Sequence, residues 1–293
     1  MGLIEAAGRE WIERHVDEAL AEDLGRQGDI TSLATVPSGL HGRAELIARQ
    51  EGVLAGIDWA VECGRRADPP AEWKFFLRDG DRVDAGGVIA EVTGPLRGIL
   101  ISERPALNGL AHLSGIATVA SRAAELVRGT KAKVYDTRKT HPGWRLAEKY
   151  AVRTGGAENH RLGLHDAFLI KENHIRAAGG VAEALRAAKS WRRSEKGAEG
   201  AAIEIEVTNL DELREALREG PDQVLLDNFS LEELREAVAF TAGRCALEAS
   251  GGITLENLAD VAATGVDRIS LGALTHSARP LDLSLLVRET SDG

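Results

Sequence analysis

The sequence predicts a mixed α/β protein in two parts, a small domain built on an antiparallel sheet followed by an incomplete α/β barrel of the TIM-like kind with about six or seven strands. Three observations predict it. Between residues 42 and 98, short apolar runs are broken by Asp79-Gly80-Asp81 and Gly86-Gly87, the punctuation of hairpins. Beyond residue 116, β-branched runs alternate with helical stretches, as in parallel βα units. The runs at 133–135, 167–170, 203–207, 223–226, 245–249 and 267–271 each meet a polar residue or glycine at the carboxyl end: Asp136, Lys171, Glu206, Asp227, Ser250 and Gly272. The stretch from 114 to 274 is too short for a complete eightfold barrel of roughly 250 residues, so the barrel is expected to be incomplete.

In chain order, Ile4, Trp11, Ile12, Val16, Ala19 and Leu20 stand at helical spacing and predict one amphipathic helix ending near Gly25. Gly28-Asp29-Ile30-Thr31-Ser32 reads as a turn. After the hairpin region, Ser114-Gly115-Ile116 precedes a helix through Leu126. Asn209 with Glu212, and Ser230 with Glu233, have capping-box spacing, in which each side chain satisfies the other's free backbone donor at a helix start. The border between the parts is placed at 113/114.

Composition narrows the class. Of 293 residues, 43% are hydrophobic and 28% charged, an ordinary globular balance. No run approaches the roughly 18 apolar residues of a membrane span. Cys63 and Cys245 are too few for a disulfide framework and residues 1–10 lack a basic-then-apolar leader, so a reducing cytoplasm is expected. The net charge of −10 opposes non-specific attraction to nucleic acid. Residues 131–171 reverse that balance, with nine Lys or Arg against four Asp or Glu. A basic run is ordinarily a solvated helix face; the motifs within this one supply a competing explanation.

Ala249-Ser250-Gly251-Gly252-Ile253 ends a strand in two glycines ahead of a helix expected near Thr254 or Leu255. Glycine permits close backbone approach, and free amides at a helix start attract phosphate. The next strand ends in Ser270-Leu271-Gly272-Ala273, and the loops after the last two strands of such barrels commonly hold phosphate. Tight turns are the bland alternative for either pair of residues; the two ends together favour phosphate. Glu206 and Asp227, on adjacent strands, are expected at one rim, where oxygen ligands with room for water and phosphate suit Mg2+. A cap or an ion pair with Arg would be their structural use. Asp136-Thr137-Arg138-Lys139-Thr140, Asn159-His160-Arg161 and Lys171 complete a cationic cluster that would repel itself unless a polyanion neutralised it. Arg supplies the flat, two-pronged donors that match carboxylates.

These motifs, with Lys149-Tyr150-Ala151-Val152-Arg153, Leu169-Ile170-Lys171-Glu172-Asn173-His174, Leu226-Asp227-Asn228-Phe229 and Glu248-Ala249-Ser250-Gly251-Gly252-Ile253, resemble quinolinate phosphoribosyltransferases, also called carboxylating nicotinate-nucleotide pyrophosphorylases. The likeness runs from Glu22-Asp23-Leu24-Gly25 to Leu281-Asp282-Leu283. It implies an N-terminal open α/β sandwich at 1–113, joined by residues 275–293, over a barrel at 114–274. It also implies transfer of 5-phosphoribosyl from phosphoribosyl pyrophosphate to quinolinate with decarboxylation, in de novo NAD biosynthesis, with Mg2+ and no organic cofactor. A homodimer with shared active sites, or a higher oligomer built from it, is implied as well. Arg104 matches an arginine that reaches the neighbouring subunit's quinolinate, while Arg138, Lys139, His160, Arg161 and Lys171 match own-subunit binding residues. Glu206 and Asp227 match positions near ribose and magnesium, and Ser250, Gly251, Gly252 and Gly272 those at the 5-phosphate. Lys139, Lys171, Glu206 and Asp227 are the expected catalytic residues. The sequence departs from the family pattern at Pro105, at His141 and at Ala111-His112, where Thr, Thr and Gln-Arg are usual.

Two other readings stand beside this one. A Schiff-base lyase on a phosphate-binding barrel would use Lys171. A lipoyl- or biotinyl-like carrier module would use the hairpins around Asp79 and Gly87, although no lysine occupies a hairpin tip there.

Overall fold

The computed structural model describes residues 2–196 and 198–292, which form two compact units. The first takes the chain up to Ser121 together with His141–Gly156 and the segment from Ser277; the second takes Arg122–Thr140 and Ala157–His276. Residues 114–121 and 141–156 thus belong with the first unit, which a border at 113/114 does not anticipate.

In the first unit, α1 (Leu3–Ala7) and α2 (Arg9–Leu24) replace the single predicted helix. Gly8, at φ +90°, interrupts the run, while Leu3, Ile12, Val16 and Leu20 still form the buried side. The predicted turn is the start of α3 (Ile30–Thr35), because the Asp29 carboxylate accepts from the amides of Thr31 and Ser32 at 3.1 Å each and caps a helix. The hairpin region supplies β1 (Leu40–Ala48), β2 (Gly52–Val53), β3 (Glu72–Phe75), β4 (Arg82–Val83) and β5 (Val88–Pro95), with α4 (Ile57–Arg66) between β2 and β3. The C-terminal strand (Leu283–Asp292) pairs antiparallel with β1, giving a four-stranded order of C-terminal strand, β1, β5, β3; β2 and β4 pair separately.

Helix α5 (Leu96–Leu126) is one helix of 31 residues rather than one that starts after Ser114. Its glycines permit close packing instead of breaking it. A Cβ on Gly109 would lie 2.2 Å from Trp59 Nε1, so only glycine leaves room for the buried indole, whose N–H donates to the Pro105 carbonyl at 2.8 Å. Helix α6 (Arg145–Thr154) completes the unit, and its Tyr150 hydroxyl donates to Asp79 at 2.5 Å.

The second unit contains β6 (Lys133–Tyr135), β7 (Phe168–Ile170), β8 (Ile203–Val207), β9 (Gln223–Asp227), β10 (Ala246–Ser250) and β11 (Arg268–Ser270). Helices α7 (Glu172–Ala178), α8 (Val181–Ser194), α9 (Leu210–Glu219), α10 (Leu231–Thr241), α11 (Leu258–Ala262) and α12 (Ala273–His276) alternate with them. The strands make one parallel sheet of order β6, β11, β10, β9, β8, β7, the incomplete barrel expected. The first strand lies beside the last, as in a barrel, yet β6 and β7 do not pair with each other.

Side chains alternate across the strands, so the two faces of this sheet can be read from the register. Ile203, Ile205, Val207, Val224, Leu226, Leu247, Ala249 and Ile269 form a dry apolar face. Glu206 pairs with Leu225, and Glu248 with Arg268, so Glu204, Glu206, Asp227, Glu248, Ser250 and Arg268 share the opposite face. Ser230 and Glu233 form the predicted reciprocal box on α10. At α9 only half of it exists: Asn209 accepts from the Glu212 amide, but the Glu212 carboxylate turns to the Thr208 amide. Among the described residues no helix is long and apolar enough to cross a membrane.

The Gly109 contact gives a stability test. Gly109→Ala is expected to destabilise the protein by about 1–3 kcal/mol through overpacking against Trp59. Chemical denaturation should show a lowered midpoint with an unchanged denaturant slope.

Candidate active site

The polar face of the parallel sheet is built around two buried carboxylates. Glu248 is fully buried; Arg268 Nε donates to it at 2.6 Å, Ser270 Oγ also donates to it, and His160 Nε2 lies 3.3 Å away. Glu204, on β8, is 3.1 Å from the same imidazole nitrogen. Arg268 also lies over the Tyr135 ring, 3.7 Å from its centroid.

These two acids titrate in opposite directions. Burial raises both, but hydrogen bonds from His160 and Ser270 and the nearby Arg268 charge bring Glu248 down to about 2. Glu204 stays above the ordinary carboxylate range because burial and the Glu248 charge outweigh His160, and its Oε1 is buried without a hydrogen-bond partner. Burial alone would lower His160; the Glu204 and Glu248 hydrogen bonds instead bring it up to about 9. The Arg161 amide donates to His160 Nδ1 at 2.8 Å, which places the neutral ring's proton on Nε2 and opposes a second proton. Charge-assisted bonds to two buried carboxylates outweigh one neutral amide bond, so the upward direction prevails.

Next to this network stand two arginines. Arg161 donates to the Ala167 carbonyl at 2.9 Å, and burial together with the Arg138 charge lowers its pKa. The Nε of Arg138 and that of Arg161 are both buried with no hydrogen-bond partner. Two guanidinium groups that repel each other and keep unsatisfied donors are an incomplete arrangement, which an anion with more than one acceptor would complete. Asp136 supports it from β6, accepting from the His160 amide at 2.8 Å.

At the carboxyl ends of the strands, Lys171 forms an ion pair with Glu206, and its own amide is satisfied by His174 Nδ1 at 3.0 Å. Asp227 accepts from Asn228 Nδ2 at 2.8 Å. The neighbouring turn depends on Gly251: at φ +89° its Cβ position would lie 2.3 Å from Asn228 Oδ1. Ser250, Gly251 and Gly252 line a cavity of about 280 Å3 with Asn228 and Ile253. The helix expected at Thr254 or Leu255 begins later, at Leu258, and has only 5 residues. The Thr254 amide is taken by Asn257 Oδ1, so exposed loop backbone rather than a helix start faces this cavity. Gly272 lies against Lys139, whose Cδ would be 3.3 Å from a Cβ there, and Thr275 Oγ1 donates to the Lys139 carbonyl at 2.7 Å.

The second unit therefore brings Arg138, His160 and Arg161 into one cluster, Lys171 to Glu206, and Lys139 to Gly272. Arg104 lies exposed on α5 in the first unit. Sequence reasoning gave no role to Glu204, Glu248 or Arg268. Their signal was present, since buried parallel strands are ordinarily continuous apolar runs and a charge in mid-strand is anomalous.

A parallel α/β barrel whose strand ends gather cations beside glycine turns defines an enzyme class that handles anionic small molecules. Comparison with known proteins carries the assignment further. The model of the quinolinate phosphoribosyl transferase C-terminal domain matches residues 116–286, and that of the N-terminal domain matches 29–114. The chain belongs to the quinolinate phosphoribosyl transferase family. It is similar to a carboxylating nicotinate-nucleotide pyrophosphorylase of Mycobacterium leprae, 44% identical over 284 residues, 95% of this chain and 96% of the relative. A mitochondrial decarboxylating quinolinate phosphoribosyltransferase of Nicotiana tabacum is 39% identical over 92% of this chain and 80% of its own length. Among solved structures, the nicotinate-nucleotide pyrophosphorylase of Francisella tularensis superposes with a TM-score of 0.89 at 44% identity, covering 95% of this chain and 96% of that one.

The buried network has a pH signature. With His160 raised from 6.5 to about 9, its imidazolium contributes stability that is complete below pH 6.5 and disappears as pH rises through about 9. The stability gap between the wild type and His160→Gln should therefore narrow over that window. NMR titration should place the His160 midpoint near 9 and lower in Glu248→Gln; a wild-type midpoint at or below 6.5 would refute the account.

Proposed function

We propose that this chain transfers the 5-phosphoribosyl group of phosphoribosyl pyrophosphate to quinolinate, releasing pyrophosphate and carbon dioxide and forming nicotinate mononucleotide. The observation that carries the substrate reading is the Arg138–Arg161 pair, with two buried Nε donors that have no hydrogen-bond partner among the described residues. Quinolinate presents two adjacent carboxylates, which match two planar donors held side by side. Cationic side chains in that position hold the diacid in register while the pyridine nitrogen attacks the anomeric carbon. Glycosylation makes the ring nitrogen cationic, so departure of the neighbouring carboxyl as carbon dioxide leaves a carbanion that the positive ring stabilises until a proton from solvent replaces the lost group. No organic electron sink is needed.

Ser250, Gly251, Gly252 and Gly272 are assigned to the 5-phosphate, and Lys139 and Lys171 to supplying positive charge to the phosphates. Glu206 and Asp227 fit a magnesium ion: both are carboxylates on the same face of adjacent strands, offering the hard oxygen donors that ion prefers. Bound there, it would neutralise developing charge on the leaving pyrophosphate. Arg104 is assigned to the active site of a partner subunit in a homodimer, a role its exposure on α5 permits. Two free cysteines support a reducing, cytoplasmic location. The lyase alternative finds less support, because Lys171 is about half exposed and paired with Glu206 instead of being held as a free amine.

The test is product analysis after mixing the purified protein with quinolinate, phosphoribosyl pyrophosphate and Mg2+. Equimolar nicotinate mononucleotide, carbon dioxide and pyrophosphate are expected, with negligible turnover of nicotinate. Arg161→Ala should reduce kcat/KM for quinolinate by roughly 100–1,000-fold, the scale of losing one preorganised charge-stabilising donor. Equal turnover of nicotinate and quinolinate would overturn the diacid clamp.

A further inference from the structure

A second polar cluster lies wholly in the first unit and has no part in the reaction above. Glu148, on α6, is fully buried, and a single oxygen, Oε1, contacts both His112 Nε2 at 2.9 Å and His141 Nδ1 at 2.6 Å. Oε2 accepts the His141 amide at 3.3 Å. Among the described residues no Lys or Arg pairs with this carboxylate. A buried carboxylate needs compensation, and the partners of this one are two imidazole nitrogens and one backbone amide. The other buried carboxylate cluster differs on this point, because Arg268 compensates Glu248 there.

We propose that His112, His141 and Glu148 form a binding site for a divalent transition-metal ion, with zinc the best match. Their three ligand atoms lie within 4.8 Å of one another. Tetrahedral zinc, with bonds of about 2.0–2.1 Å, separates its ligands by roughly 3.3 Å, so the three groups need open by less than about 1 Å. Two imidazoles and one carboxylate form a known zinc donor set and disfavour magnesium or calcium, which take oxygen. The rings are also held in place: His112 packs edge-on against His141 and Trp144, with centroids 5.2 and 5.7 Å apart. Both imidazoles border a cavity of about 520 Å3 that Glu22, Asp23 and Asn108 also line, leaving space for a water or an anionic ligand at a fourth position. His112 and His141 are two of the positions at which this sequence departs from its family's pattern.

The protein, stripped with chelator, should be titrated with Zn2+ by calorimetry and with Co2+ by visible absorption. One equivalent per chain is expected, with the intense visible bands of four-coordinate Co2+ and a Zn2+-dependent rise in Tm. His112→Gln and His141→Thr should each weaken that equivalent by more than about 100-fold, since loss of even an outer-shell partner costs roughly 10–100-fold. Both variants should keep the metal-free Tm within a few degrees, and a substitution of the exposed His41 on β1, His41→Gln, should bind like the wild type. Absence of the equivalent from the wild type, or its retention in either His112→Gln or His141→Thr, would overturn the proposal. The half-exposed His141 makes His141→Thr the safer variant should His112→Gln fail to fold.

Discussion

Charge inside the parallel sheet is the constraint from which the rest of the catalytic unit follows. A buried carboxylate is tolerable only when it is paired and hydrogen-bonded, and Glu248 meets that condition through Arg268, Ser270 and His160. The partners come from two pieces of chain: β11 supplies Arg268 and Ser270, and the segment after α6 supplies His160. Satisfying Glu248 therefore ties strand register to loop position. The same carboxylates push the His160 pKa upward, and the Asp136 and Arg161 contacts orient its backbone and ring.

This arrangement divides labour between depth and rim. Deep in the sheet, the charges satisfy one another and set geometry. Nearer the strand ends, Arg138 and Arg161 each retain a buried Nε with no acceptor among the described residues, and Lys171 pairs with Glu206. A site that is fully satisfied without ligand gains little electrostatically by binding one. The residual positive charge here is held by a scaffold whose own hydrogen bonds are closed, which is the physical meaning of preorganisation. Gly251 and Gly272 serve it differently, by leaving out a Cβ where Asn228 and Lys139 must come close.

The His112–His141–Glu148 cluster shows a different case, a buried carboxylate that two imidazole nitrogens meet and, among the described residues, no Lys or Arg pairs with. Both clusters follow one rule, that burial of an acid calls for compensation, and they differ in whether the protein itself provides it. Glu248 has its arginine; Glu148 has two ligand-type nitrogens and a cavity.

Local patterns were sufficient for much of this. All six parallel strands, the box at Ser230 and Glu233, and the polar residues at the strand ends follow from alternation, spacing and turn chemistry, which act over a few residues. The long α5 did not follow, because Gly109 and Gly115 look like breakers until Trp59 and the Arg279 backbone are seen against them; nor did the start of α3, which the Asp29 cap sets, or the late start of α11, where Asn257 takes the Thr254 amide. The sequence by itself determined the fold class, the family and the list of cations awaiting an anion. Tertiary structure alone decided which charges neutralise one another, pairing Glu248 with Arg268 and leaving the Nε of Arg138 and of Arg161 without an acceptor among the described residues. The reason is that charge compensation depends on distances of a few ångströms between residues far apart in the chain, and local periodicity carries no information about those distances.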